Sequence, residues 1–312
     1  MESGSTLVSP AGGRRLLLEV VSATVEPRRF VLAPGASARV GRTSMSDFVI
    51  AEDEHLSGAH FRIEWDGVTA AICDLESAGG TLVGGAKVAV SALRHGDWIR
   101  AGGTDFRVYF EGHSLLRAQG VTNPIAAHAR EEILHRARDA GGQLHALLDA
   151  ARSPRVLELL KESVDEHQSL FDGLGGASLW RVAPYLVKLA PEGSGMFARL
   201  LEEGLGRSFG IFVLSGASFK EVRRHFRRLL RVEDPERRPM FFRLYDPRVM
   251  RTFLPTCSER QLEELFADVV SAYVGEGESM GELRVFRLGP GLALREERVR
   301  LGRGEAVAQE AR

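Results

Sequence analysis

The chain has 312 residues, 44% hydrophobic and 27% charged, a length that leads to an expectation of two domains. With 41 basic against 42 acidic side chains, a net charge of -1 argues against a nucleic-acid binder that works by bulk attraction. The two cysteines, Cys73 and Cys257, form no CxxC pair, so neither a disulfide framework nor a zinc knuckle is expected.

The opening "MESGSTLVSPAGG" lacks a basic start followed by an apolar run, so no signal peptide is expected there. Nowhere do eighteen apolar residues run together, and the expectation is a soluble, cytoplasmic protein. From Arg14 to Glu111 short alternating runs such as "RLLLEVVSA", "AHFRIEWDG" and "TDFRVYFE" are broken by Asp-Gly and Gly-Gly. That pattern predicts an all-β sandwich over residues 14–112. Residues 113–141 then read as a polar helical linker ending at Gly141 and Gly142.

From Leu144 onward strand-like and helical runs alternate, which predicts an α/β domain over 142–288 with a sheet covered by helices. Ser153 with Pro154 opens a helix after "LHALLDAA". "FGIFVLS", residues 209–215, has the uninterrupted apolar character of a strand covered on both faces. Ser218 with Glu221, and Ser258 with Gln261, have capping-box spacing. "PMFFRLYD" reads as a further strand, after which Asp246-Pro247 starts a short helix. The charged, glycine-broken end, residues 289–312, is expected to be a flexible tail.

Three loop features line up within the sandwich: Gly41-Arg42, then Ser57 three residues before His60, then "DLESAGGTLVGG" from Asp74 to Gly85. In order and spacing they resemble the pattern of the forkhead-associated (FHA) domain, over about 95 residues. The resemblance implies recognition of phosphothreonine, a group with nearly two negative charges and three acceptor oxygens. Arg42 and Ser57 would hold the phosphate, Ser57 with both its hydroxyl and its backbone N–H. His60 would brace the Ser57 loop from inside, Gly41 would let the chain turn, and Gly79 and Thr81 would lie among the peptide-contacting positions. The family carries an asparagine where this chain has Gly79, and another where it has Gly84. Each lost hydrogen bond costs about 0.5–1.5 kcal/mol, so a missing two-bond clasp weakens binding by about tenfold to a hundredfold. Gly58 stands where many members carry an arginine, and Glu52, Asp53 and Glu54 would repel a phosphate if they faced the seat. Two readings stay open at this point, a phosphothreonine seat and a phosphate-independent interaction surface.

Later stretches, "HALLDAA", "SLFDG", "APYLVKL", "GIFVLSGASFKEVRRHFRRLLRV" and "FFRLYDPRVMRTFLP", are similar to the effector-adaptor (effector-chaperone) domain of bacterial type VI secretion, a family long catalogued as a domain of unknown function. The resemblance implies binding of a secreted effector and its loading onto the valine-glycine-repeat spike protein, VgrG. In "FRLYDPR" Asp246 is expected to cap the next helix and to pair with Arg243 or Arg248; these three, with Tyr245, are candidate partner contacts. The predicted helix from Phe219 to Leu230 places Phe219, Val222, Phe226, Leu229 and Leu230 on one face. Lys220, Arg223, Arg224, Arg227, Arg228 and Arg231 fill the others, either as solvated charge or as a surface for an acidic partner.

No catalytic signature is found: no G-x-S-x-G elbow, HExxH or P-loop occurs. His128, Glu132 and His135 are read as a solvated helix face and not as a metal site. No cofactor and no enzymatic activity are expected. The sequence therefore reads as a two-domain adaptor, with a phosphothreonine-dependent signalling protein as the alternative.

Overall fold

The computed structural model describes residues 14–21, 28–114, 123–171, 179–190, 195–233, 236–279 and 281–302. The chain divides into two compact units, residues 1–119 with 161–164 and residues 120–160 with 165–312.

The first unit is built from short strands: β1 (Leu16–Val20), β2 (Arg29–Leu32), β3 (Ala36–Gly41), β4 (Phe48–Val49), β5 (Phe61–Trp65), β6 (Ala70–Asp74), β7 (Thr81–Val83), β8 (Ala86–Val88), β9 (Val90–Leu93), β10 (Trp98–Ala101) and β11 (Thr104–Phe110). Among the described residues they form two sheets, ordered β2-β1-β11-β10-β7-β8 and β4-β3-β5-β6-β9. Alternation decides which face of each strand goes inward. In β5, Phe61, Ile63 and Trp65 are buried, while Arg62 and Glu64 face outward and pair at 2.9 Å. Phe61 meets Phe106 of the opposite sheet edge-on, with ring centroids 5.6 Å apart. Burying each such side chain contributes about 1.5–3 kcal/mol, so the facing sheets hold the loops at their ends in place. The β7–β8 hairpin turns through Gly84 and Gly85 at φ +57° and +88°, a turn that needs left-handed backbone at both positions.

The second unit contains α1 (Pro124–Asp139), β12 (Gln143–Asp149), α2 (Pro154–Lys161), β13 (Glu166–Ser169), β14 (Pro184–Lys188), α3 (Met196–Gly204), β15 (Gly210–Ser215), α4 (Phe219–Leu229), β16 (Arg231–Glu233), β17 (Pro239–Phe241), α5 (Pro247–Phe253), α6 (Glu259–Phe266), β18 (Ala272–Glu276), β19 (Glu282–Leu288) and β20 (Leu294–Arg300). Its main sheet runs β13-β14-β12-β15-β18-β19-β20, antiparallel throughout. Both faces are covered. Phe212 and Leu214 of β15 join one core with Ile133 and Phe197, while Ile211 and Val213 join the other with Phe226 and Phe266. That double burial is why β15 carries no polar alternation. Both capping boxes form: Ser218 and Glu221 close the start of α4, and Ser258 and Gln261 that of α6.

Three expectations are corrected. The linker helix is α1, and it is a core element of the second unit: Ala126, Ala129, Ile133 and Ala137 are buried against the sheet. A stripe made mostly of alanine carries little hydrophobic signal, so the helix reads as solvated. The expected tail is β20 as far as Arg300, paired with β19 from Leu294 to Arg300; residues 303–312 lie outside the described residues. Its charges suit an edge strand, where they discourage pairing with another chain. "PMFFRLYD" yields only β17, paired with β16 in a separate two-stranded ribbon.

His145 lies wholly buried in β12, and its ring is stacked 6.3 Å from that of Phe219. Neither ring nitrogen has a hydrogen-bond partner of good geometry among the described residues. Burial pushes its pKa down to about 4; the nearby Gln143 backbone opposes this and the Lys188 charge adds to it. The folded state therefore favours the neutral ring. Its contribution to stability is complete above the unfolded value of 6.5 and is lost as pH falls through the window down to about 4. Denaturant unfolding between pH 7 and 4 should show a loss approaching about 3 kcal/mol at the acid end. His145→Leu should remove that part of the pH dependence; an unchanged profile in the variant would refute the assignment.

Candidate functional site

Three loops meet at one end of the first unit, and their backbone bonds tie them together. Arg42 N donates to Ser57 O at 2.9 Å, and Thr43 N donates to Gly58 O at 3.2 Å. The Thr43 and Ser46 hydroxyls also donate to Gly58 O, at 3.1 and 2.9 Å. This convergence sets the role of Gly41. Its φ is not positive; a Cβ there would stand 2.3 Å from Gly58 O. The glycine provides room for a close backbone approach, not the turn expected of it.

His60 is fully buried and bridges two loops. Its Nδ1 accepts from Ser57 N at 3.0 Å, which places the proton on Nε2, 3.2 Å from Gly80 O. The Ser57 backbone N–H is therefore occupied and does not face a ligand, contrary to expectation. Ser57 Oγ accepts from Ala78 N at 3.1 Å, and its own O–H remains to be donated. The Arg42 guanidinium is exposed, with no hydrogen-bond or ion-pair partner among the described residues.

Asp74 organises the third loop. It accepts from Ser77 N at 3.0 Å, and from the hydroxyls of Ser77 and Thr81 at 2.6 Å each. Burial alone would raise its carboxyl, but these bonds outweigh burial and hold it below the ordinary carboxylate range. Thr81 is consequently buried with its hydroxyl committed, and it is not a peptide-contacting residue as expected. Gly79 is exposed, and nothing lies within 4 Å of where its side chain would begin. Two of the three acidic residues upstream are also committed. Glu52 pairs with Arg28 at 2.5 Å, and buried Asp53 accepts from the Thr104 hydroxyl at 2.6 Å and Gly103 N at 2.9 Å.

The candidate residues of the second unit divide differently. Arg223 is half-buried and donates to Ser169 O at 3.1 and 2.8 Å, so it braces α4 against β13. Arg224, Arg227 and Arg228 are exposed. Asp246 caps α5, accepting from Arg248 N at 3.0 Å and from the Arg248 side chain at 2.9 and 2.6 Å. Burial would raise the Asp246 carboxyl, yet the Arg248 bonds win and lower it. Arg243 reaches buried Asp149 at 2.5 Å, and Tyr245 is buried beside them, its hydroxyl pushed up to about 12 by burial and the Asp149 charge. This cluster fastens the α5 turn to the end of β12. Met240 and Phe241, not singled out among the candidate residues, are exposed on the β16–β17 ribbon. Among the described residues no group of three His, Cys, Asp or Glu side chains is placed to hold a metal, and no helix is long and apolar enough to cross a membrane.

With this geometry in place, comparison with known proteins gives two matches. The FHA domain model matches residues 38–102, and the model of a domain of unknown function, DUF4123, matches residues 144–264. The chain joins an FHA domain to a DUF4123 domain. Similar solved structures include one from a structural and functional analysis of phosphothreonine-dependent FHA domain interactions, with 33% identity, 30% of this chain and 95% of that one covered, and a TM-score of 0.28. The FHA domain of a Chlamydia trachomatis protein has 28% identity over 30% of this chain and 96% of its own, with a TM-score of 0.29. EmbR of Mycobacterium tuberculosis, in complex with a low-affinity phosphopeptide, has 25% identity over 30% of this chain and 24% of its own, with a TM-score of 0.28. No curated protein matches the chain.

In the FHA domain, Gly41→Ala should drive a methyl group into the Gly58 carbonyl and destabilise the first unit by about 1–3 kcal/mol. A denaturant midpoint equal to that of the natural chain would contradict the close-approach role.

Proposed function

We propose that the chain is an adaptor that works by binding, with two separate protein-recognition surfaces. The FHA domain takes a threonine-phosphorylated partner, and the DUF4123 domain holds a secreted effector and brings it to the VgrG spike of a type VI secretion system. The observation that carries the first half is the exposed, unpartnered Arg42 guanidinium beside a Ser57 turn held by His60. A planar fork of donors, with a serine hydroxyl in the adjoining loop that still has its proton to donate, suits a phosphate dianion. The second half rests on the sequence resemblance of the DUF4123 domain, and is supported by the exposed arginines of α4, which suit an acidic partner surface. In this reading the protein is cytoplasmic, needs no cofactor and transforms no substrate.

The first half is tested by titrating the full chain with a pool of phosphothreonine peptides and with the same pool unphosphorylated. Phosphate-dependent binding should fall about tenfold or more in Arg42→Ala. Equal affinity for both pools, or an undiminished Arg42→Ala, would overturn it. For the second half, the full chain co-expressed with an effector and a spike protein from a type VI system should retain both on purification. Arg224→Glu combined with Arg228→Glu should weaken that retention while the fold persists by circular dichroism. Failure of the natural chain to retain either protein would overturn the adaptor reading.

A further inference from the structure

The third loop of the FHA domain presents a bare floor. Gly79 is exposed, with nothing within 4 Å of where its side chain would begin, and buried Gly80 follows it at φ +76° with its carbonyl held by His60. Ala78 N, bonded to Ser57 Oγ at 3.1 Å, fixes this floor beside the phosphate seat. Ala78, Gly79 and Gly80 carry nothing larger than a methyl group, so this stretch of the loop has no side chain of its own with which to hold a bound main chain.

A side chain from the neighbouring hairpin reaches the same place. Lys87 lies opposite Leu82 in the β7–β8 register, and its side chain folds back across Gly80. A Cβ at Gly80 would stand 2.2 Å from Lys87 Cε and 2.7 Å from Nζ, so only glycine admits the lysine in this position. The ammonium is exposed and has no hydrogen-bond or ion-pair partner among the described residues. The Asp74 carboxylate of the same loop is committed to Ser77 and Thr81, and among the described residues Glu76, at φ +56°, makes no ion pair with Lys87. Three donors thus stand uncommitted at the edge of the floor.

We propose that Lys87 is the peptide clasp of this FHA domain, donating from its ammonium to the main-chain carbonyls of the phosphopeptide as they cross Gly79 and Gly80. The inference rests on the phosphothreonine reading of the same site. It assigns to a hairpin lysine the hold that the loop, lacking a side chain at Gly79, does not supply. The competing role is packing alone, with the methylenes resting on Gly80 and the head in water.

The test measures affinity of the full chain for the phosphothreonine peptide pool, with Arg42→Ala as the control for the seat. Lys87→Met keeps the methylenes and removes the donors, and should lower affinity about tenfold. Lys87→Arg should keep most of the affinity. Adding Gly79→Asn to Lys87→Met should restore much of the loss, because nothing lies within 4 Å of a Cβ at residue 79 and the amide returns a donor to the same floor. If the natural chain binds in a phosphate- and Arg42-dependent way while Lys87→Met binds equally well, the clasp is overturned and the seat stands. A loss in Lys87→Met that Gly79→Asn leaves uncorrected also overturns it. If no phosphate-dependent binding occurs in the natural chain, the seat and the clasp fall together.

Discussion

The ligand end of the FHA domain depends on one buried imidazole. His60 takes the Ser57 N–H on one nitrogen and gives its proton to the Gly80 carbonyl with the other, so two loops far apart in sequence are held at a fixed spacing. A buried backbone N–H without a partner costs about 1–3 kcal/mol, and this bridge satisfies a donor and an acceptor at once. Its price is that the Ser57 amide is withdrawn from any ligand. What faces outward is what the bridge leaves over: the Arg42 fork, the Ser57 hydroxyl and the Lys87 ammonium. A phosphate bound there, as proposed, would meet a preorganised backbone and long side chains that still adjust, which would lower the ordering cost of binding.

Charge is handled in opposite ways by the two domains. At the FHA end Arg42 is left without a carboxylate, while Glu52 pairs with Arg28 and the Asp53 and Asp74 carboxylates are tied up by hydroxyl and amide donors. Arg42 thus keeps its donors for other groups in a chain of nearly zero net charge. In the DUF4123 domain the arginines of "FRLYDPR" are consumed internally, Arg243 on Asp149 and Arg248 on Asp246. Both carboxylates are buried, so removing either arginine would leave an uncompensated charge in the core, and that fits a structural office better than a contact surface.

Much of this was legible in the sequence where one local rule decides the outcome. Alternation gave the sandwich strands, and the Ser218–Glu221 and Ser258–Gln261 boxes gave two helix starts. The spacing of Gly41, Ser57 and His60 gave the loop frame. The failures share a cause: the deciding contact is distant in sequence. Whether α1 is solvated or buried depends on a sheet that begins after it, and a stripe of alanines says nothing by itself. Strand β20 looks like a tail because its partner β19, and not its own composition, makes it a strand. Thr81 reads as a surface threonine until Asp74 is seen to take its hydroxyl. Lys87 meets Gly80 only through the register of a hairpin, which no motif records.

The basic face of α4 shows how a helix can be anchored and still offer charge. Its start is pinned by the Ser218 box, its apolar face is buried through Phe219, Val222 and Phe226, and Arg223 ties its flank to Ser169. Those constraints fix the rotation of the helix, so Arg224 and Arg228 are held outward by the rest of the domain. Solubility alone requires no such concentration of one sign, and a chain so evenly balanced overall gains nothing in colloidal repulsion from it. A partner surface of opposite sign, as proposed for this domain, would use it, because charges held at fixed positions steer encounter and select orientation even when each pair contributes little to affinity.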